Sequence, residues 1–211
     1  MGSANIDHVV QVPRLPAVGE TIVAGGYFTA PGGKGLNQCV AAARQGASVS
    51  LIACVGADEA GDDLARLLAA EGIDRSGLRR TSESPTGLAL VTVADGGANT
   101  VVAAPLANAH LTPADIDAAG AVIERASVLL IQLEIPPPVV EQSLRLARAA
   151  GVTTVLNPAP APSNGFVDVD LGLVDVLVPN EIEATSLTGV PVEQAGSALV
   201  AAGSPTVVVT M

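Results

Sequence analysis

Apolar residues in this chain alternate between two spacings, and the switches mark out its elements. Residues 48–55 are a short continuous apolar run, as expected of a strand buried on both faces. Residues 58–71 then carry Leu64, Leu67 and Leu68 at helical spacing, with acids early, where the helix dipole favours them, and Gly72 just past the end. The rhythm returns as strand 128–133, helix 138–150, strand 152–156, strand 174–178, helix 181–188 closed by Gly189, helix 192–202 and strand 206–210. Thr112-Pro113-Ala114-Asp115 supplies a further helix start, an N-cap followed by proline in the first turn. Such alternation predicts an α/β fold, a doubly wound, mostly parallel sheet with helices on both faces.

Two stretches break the rhythm. Residues 1–7 read as the tail of a strand whose front half is missing. Residues 8–29 show short alternation at Val10, Val12, Thr21 and Val23, broken by Pro13, Pro16, Gly19, Gly25 and Gly26, which predicts two short strands outside the main sheet. Residues 86–94 and 99–104 flank Asp95-Gly96-Gly97-Ala98, a hairpin signal. Together these predict a small β lid, with strands within 8–29 and 86–104, on a single domain spanning 1–211.

Composition narrows the picture. With 49% apolar residues but three aromatics, Tyr27, Phe28 and Phe166, the core must be built from Ala, Val, Leu and Ile. A net charge of −11 disfavours nucleic acid and anionic membrane as partners, since both need clustered Lys and Arg. Cys39 and Cys54 lack metal or redox spacing and fit buried residues in a reducing compartment. No signal peptide opens the chain, and no apolar run approaches the roughly twenty residues of a membrane span, so a soluble cytoplasmic protein is expected.

The densest chemistry lies in Pro31-Gly32-Gly33-Lys34-Gly35-Leu36-Asn37-Gln38, a glycine-rich turn entering an apolar helical pattern. Glycines admit close backbone approach, a helix start offers unpaired N–H groups, Lys34 adds a cation, and Asn37 can donate and accept. A phosphate-binding P-loop is excluded, because Phe28 stands where its first glycine belongs and Gly35 follows the lysine in place of Ser or Thr. A dinucleotide fingerprint fails at Gln38 and lacks the preceding strand, which also disfavours a nucleotide-cofactor oxidoreductase. The bland alternative is a tight helix entry.

Polar residues also collect at the predicted strand exits: Asn5 and Asp7, Gln132 and Glu134, Asn157, then Asn180, Glu181 and Glu183. Singly, each has a local reading as turn former, N-cap or first-turn acid. Jointly, they lie where open parallel sheets bind ligands, beside the glycine turn.

These segments, Gly2-Ser3-Ala4-Asn5-Ile6-Asp7, Gly32 to Gln38, Gln132-Leu133-Glu134, Leu156-Asn157-Pro158-Ala159-Pro160-Ala161 and Pro179-Asn180-Glu181-Ile182-Glu183-Ala184, resemble in order the motifs of the PfkB-type (ribokinase-like) carbohydrate kinases, and within them the ribokinases. The resemblance covers essentially the whole chain. It implies transfer of the γ-phosphoryl group of ATP, with Mg2+ and a monovalent cation such as K+, to the primary hydroxyl of a pentose, giving ribose 5-phosphate from ribose. It implies that Asn5, Asp7, Gly32, Gly33, Lys34, Asn37 and Glu134 hold the sugar, that Asn180 faces the nucleotide, and that Glu183 helps organise magnesium and phosphates. The lid would cover the sugar and join two subunits into a homodimer.

Family members continue past Met211 into a threonine-glycine nucleotide loop and a Gly-Ala-Gly-Asp motif that supplies an anion hole and the catalytic aspartate. Neither is present here, so no catalytic residue is assigned in this chain. General-base help and an oxyanion-type donor are each worth about 10²-fold or more, and these residues alone are expected to be inactive. The alternatives are a non-catalytic sugar-binding or dimerising module, or a related kinase for fructose or a nucleoside.

Overall fold

The structure is a computed structural model that describes residues 1–211 except 164, 167 and 168. Ten strands and seven helices follow one another as β1 (Asn5–Val12), β2 (Gly26–Gly32), α1 (Lys34–Arg44), β3 (Ala53–Gly56), α2 (Glu59–Ala70), β4 (Leu78–Thr81), β5 (Gly87–Ala94), β6 (Asn99–Ala104), α3 (Pro113–Ala118), α4 (Gly120–Glu124), β7 (Val128–Ile131), α5 (Pro137–Ala150), β8 (Thr153–Leu156), β9 (Val176–Leu177), α6 (Glu181–Thr188), α7 (Val192–Ala201) and β10 (Thr206–Val207) among the described residues. A 3-10 turn, Leu106–His110, links β6 to α3.

The parallel part has two pieces, β10-β9-β8-β7 and β3-β4, with residues 1–4 running between them. Met1 N donates to the Leu130 carbonyl at 2.8 Å, and Gly2 N to the Ile52 carbonyl at 3.1 Å. Both faces are covered. Ile52 and Cys54 join the cluster beneath α3 to α5, while Leu51, Ala53 and Val55 pack with Leu36 and Cys39 of α1 and Leu64 and Leu68 of α2. Alternation on a doubly buried strand thus feeds two apolar cores. Val139, Val140, Ser143, Leu144 and Ala147 form the buried stripe of α5, whose end is closed by left-handed Gly151.

The second sheet is the lid, in order β2-β1-β5-β6. Here the structure departs from the sequence reading of the amino-terminal region. Residues 1–4 are not in a strand, and Asn5 opens β1, which runs unbroken to Val12 as the middle of the lid, so Asp7 is a mid-strand residue. Thr21 and Val23 lie outside any strand, and the second strand begins only at Gly26. Side chains with strand propensity failed there because their backbone finds no partner, whereas residues 26–32 pair with residues 5–11 of β1. The hairpin β5–β6 turns at Asp95 to Ala98, with Gly97 at φ +84°.

Elsewhere the differences concern strand length. The apolar run 48–55 is a strand only from Ala53, and β4, which pairs with it in parallel, carries Arg79 and Arg80 and has no apolar signature. β9 stops at Leu177 because Pro179 has no N–H to continue the ladder; β10 stops with it, although Thr210 N still reaches the Pro179 carbonyl at 3.0 Å.

Candidate functional site

The start of α1 organises the site. Gly33 precedes it at φ +90°, and a Cβ there would sit 2.9 Å from the Ser3 carbonyl, so the turn needs glycine. A Cβ on Gly35 would approach the Gly2 carbonyl carbon to 2.5 Å. These close approaches press the helix start against residues 2–4. The N–H groups that the sequence suggested were open to a ligand are consequently taken: Lys34 N donates to Glu134 Oε2 (3.2 Å), Gly35 N to Ser3 Oγ (3.4 Å), and Leu36 N to the Ser3 carbonyl (2.9 Å). The helix end is not an anion cradle. It is a fixture for Glu134.

Glu134 is held from three sides. Ser3 Oγ donates to Oε2 at 2.5 Å, Lys34 N to the same oxygen, and Lys34 Nζ lies 3.1 Å from Oε1. Its carboxylate also sits in the favourable field of the α1 N-terminus. Asp7 shares this electrostatic neighbourhood. Burial first, and the negative charge of Glu134 second, raise its pKa above the ordinary carboxylate value, against the opposing pull of Lys34 and His8. Its Oδ1 is buried without a hydrogen-bond partner among the described residues. Gly32 pairs with Asn5 at the end of the β1–β2 ladder, and a Cβ there would stand 2.2 Å from the Asp7 carboxylate oxygens, so glycine leaves the room this acid occupies.

A cavity of about 370 Å3, within the range of small-molecule sites, opens between the lid and the parallel sheet. Ser3, Asn5, Asn108, Glu134 and Pro160 line it, with Ala103 of β6 as its lid-side wall. Asn5 is 4% exposed and receives a hydrogen bond at Oδ1 from Asn108 Nδ2 at 2.7 Å. Of the residues singled out in the sequence, Asn5 and Glu134 line this cavity, while Lys34 pairs with Glu134, Asp7 feels its charge, Gly32 adjoins Asp7 and Gly33 adjoins Ser3, none of these four being among the lining residues. Asn37 stands apart: it is exposed on the first turn of α1, and its side chain makes no hydrogen bond among the described residues.

Beneath the cluster runs a line of amides. Gln132 donates to Gln38, Gln38 Nε2 to Asn157 Oδ1 at 3.2 Å, and Asn157 Nδ2 to the Val178 carbonyl at 2.9 Å. It ends next to Pro179 and Asn180. There Asn180 caps α6 in a reciprocal pair with Glu183: Glu183 N donates to Asn180 Oδ1 (2.7 Å) and Asn180 N to Glu183 Oε2 (2.8 Å).

Sequence reasoning missed Ser3, Gln38 and Asn108 as site residues. Ser3 and Gln38 lie inside motifs already singled out, but a lone Asn between alanines offers no signal that it will be buried. Among the described residues no group of three or more His, Cys, Asp or Glu side chains could hold a metal, and no helix is long and apolar enough to cross a membrane.

This arrangement has relatives. The pfkB family carbohydrate kinase family matches residues 1–211. The chain is 42% identical to the ribokinase of Haemophilus influenzae, over 100% of this chain and 70% of that protein, and 39% identical to the ribokinase of Staphylococcus aureus, over 91% and 63%. The structure of Arabidopsis thaliana ribokinase complexed with ribose and ATP superposes with a TM-score of 0.84 at 31% identity, over 99% of this chain and 69% of that one. The chain thus spans roughly two thirds of the relatives it matches. With the family matched from end to end and a ribokinase-like fold beneath it, this chain belongs to the pfkB family of carbohydrate kinases.

Proposed function

We propose that these residues form the sugar-binding part of an ATP-dependent carbohydrate kinase that converts D-ribose to ribose 5-phosphate in the complete protein. The observation that carries this reading is the partnerless buried oxygen of Asp7, coupled electrostatically to the Lys34–Glu134 pair. A buried acceptor without a partner costs about 1–3 kcal/mol, and sugar hydroxyls can supply the missing donor. Carboxylates at Asp7 and Glu134 would accept from hydroxyls, Lys34 and Asn5 would donate to them, and Gly32 and Gly33 would let the backbone close in. Asn37 would enter only by turning its exposed side chain inward.

ATP is taken from the resemblance to ribokinases and from a relative solved with it. Asn180 would face the nucleotide and Glu183 the magnesium ion. The fit is partial, because one Glu183 oxygen is committed to Asn180 N, leaving a single ligand; magnesium would be held mainly by phosphates and water. A monovalent cation such as K+ would accompany it. Val101 and Val102, exposed on β6, support a homodimer joined through the lid, and the protein would act in the cytoplasm.

Phosphoryl transfer itself would require residues beyond these, since the family's Gly-Ala-Gly-Asp motif is not among them. A coupled assay tests this division. The 211-residue chain should consume no ATP in the presence of ribose, and a polypeptide continuing through that motif should make ribose 5-phosphate. Turnover by the 211-residue chain refutes the division. A longer polypeptide that binds ribose but never turns it over would favour a non-catalytic binding module.

A further inference from the structure

The cavity wall contains one polar side chain that lies outside the motifs singled out in the sequence. Asn108 sits in the 3-10 turn after β6, is 1% exposed, and uses every polar atom of its amide. Its Oδ1 accepts from Ala4 N at 2.9 Å, while Nδ2 donates to Asn5 Oδ1 at 2.7 Å, to the Pro105 carbonyl at 3.0 Å and, more weakly, toward the Ala4 carbonyl at 3.4 Å. A backbone N–H can only donate and backbone carbonyls can only accept, so these partners fix which end of the Asn108 amide is oxygen. That choice passes to Asn5. Its oxygen must face Asn108 Nδ2, and its NH2 group is left pointing away, with no acceptor among the described residues, on the wall of the cavity.

We propose that Asn108 is a positioning residue that locks the Asn5 amide with its NH2 group toward the cavity, so that Asn5 meets a sugar hydroxyl oxygen as a donor. This rests on the sugar reading above. Two further observations show that the chain is shaped around the pair. A Cβ on Gly87 would lie 2.2 Å from Asn108 Nδ2 and 2.3 Å from Asn5 Oδ1, so β5 must present glycine opposite Asn5. Leu106 takes up φ +47°, which a leucine adopts only when its surroundings impose it, two residues before Asn108. The turn is pinned by Ala107 N on the Pro85 carbonyl (3.0 Å) and by Asn108 N on the Pro105 carbonyl (2.9 Å). The arrangement divides the polar work: Asp7 and Glu134 accept, and Asn5, held by Asn108, donates.

The test is the isosteric change Asn108→Asp, which keeps the acceptor for Ala4 N and replaces the donor facing Asn5 with a carboxylate oxygen. Asn5 should then turn its NH2 group toward the new carboxylate and offer its oxygen to the cavity. Proton NMR of the Asn5 side-chain amide reads the orientation directly. In the unchanged protein its NH2 protons should exchange fast with water and shift when ribose is added; in Asn108→Asp they should exchange slowly. Ribose affinity should fall by about tenfold, the value of one well-placed neutral hydrogen bond. Asn5→Ala should weaken ribose similarly, and adding Asn108→Asp to it should weaken ribose no further. Slow exchange of the Asn5 NH2 protons in the unchanged protein, a measurement that needs no variant, overturns the proposal, as do additive losses in the double variant. If the exchange pattern is as expected but ribose does not bind, the orientation stands and the sugar reading falls.

Discussion

Two helices of this protein begin with a glutamate accepting from their first backbone N–H groups, and they do so in opposite ways. At α6, Glu183 reaches back three residues to Asn180 in a capping box, and the exchange is complete within one turn. At α1, Glu134 arrives from 100 residues away to accept from Lys34 N, and Ser3, 131 residues before Glu134, donates to it. A local cap stabilises a helix and commits its groups. The distant cap also stabilises its helix, yet it draws together Lys34, Glu134, Asp7 and the strand that carries Asn5, leaving one buried acceptor unfilled. Ligand-ready chemistry arises where a helix end is completed by the fold and not by its own sequence.

Removing the distant cap should do the greatest damage. Glu134→Ala strips partners from Ser3, Lys34 N and Lys34 Nζ, and ribose affinity should drop by roughly a hundredfold, about 3 kcal/mol, in calorimetry. An unchanged affinity would mean that the cluster is only a cap, like its counterpart at α6. Next comes the close approach that brings the cap about. Gly35→Ala places a Cβ against the Gly2 backbone and should cost about 1–3 kcal/mol in denaturant unfolding, weakening ribose as α1 is pushed away from Ser3.

The local cap should behave otherwise. Asn180→Ala should lower stability by about 1 kcal/mol and leave ribose affinity unchanged, because among the described residues the pair it breaks makes no hydrogen bond to the cluster around Glu134. If ribose weakens as well, the amide line from Gln132 to Val178 transmits more than support.

The smallest effect on stability concerns Asp7 and follows from its raised pKa. An acid whose folded pKa lies above its unfolded value favours the fold most while protonated, and this contribution is lost as pH rises from the unfolded to the folded pKa. Asp7→Asn should therefore raise the melting temperature slightly at neutral pH while weakening ribose. For the ligand the sign reverses: hydroxyls donating to Asp7 favour its ionised form, so ribose affinity in the unchanged protein should rise with pH through the carboxylate range and then level off. A melting temperature lowered at neutral pH would show that Asp7 is satisfied when empty.

What the sequence disclosed follows the same division. The periodicity of α2 and α5, the capping signals at Thr112 and Asn180, and the turn at Asp95 to Ala98 are local, and each element formed where its pattern lies. The glycine turn could be singled out because Gly33 and Lys34 carry unusual chemistry, but its closure by Ser3 and Glu134 could not, since that depends on residues 1–4 threading between two parallel pieces. β1 begins earlier than its pattern for the same reason: the alternation at Val10 and Val12 marks a lid strand, but its start at Asn5 is set by pairing with β2 and β5. Asn108 left no trace, because a buried asparagine is defined by what surrounds it.

If the cluster around the start of α1 binds the sugar, a calorimetric titration of ribose into the protein without nucleotide will show it. Saturable heat from one site per chain, lost in Asp7→Ala while the protein still unfolds cooperatively, is the predicted result. A folded protein that gives no heat with ribose would contradict it.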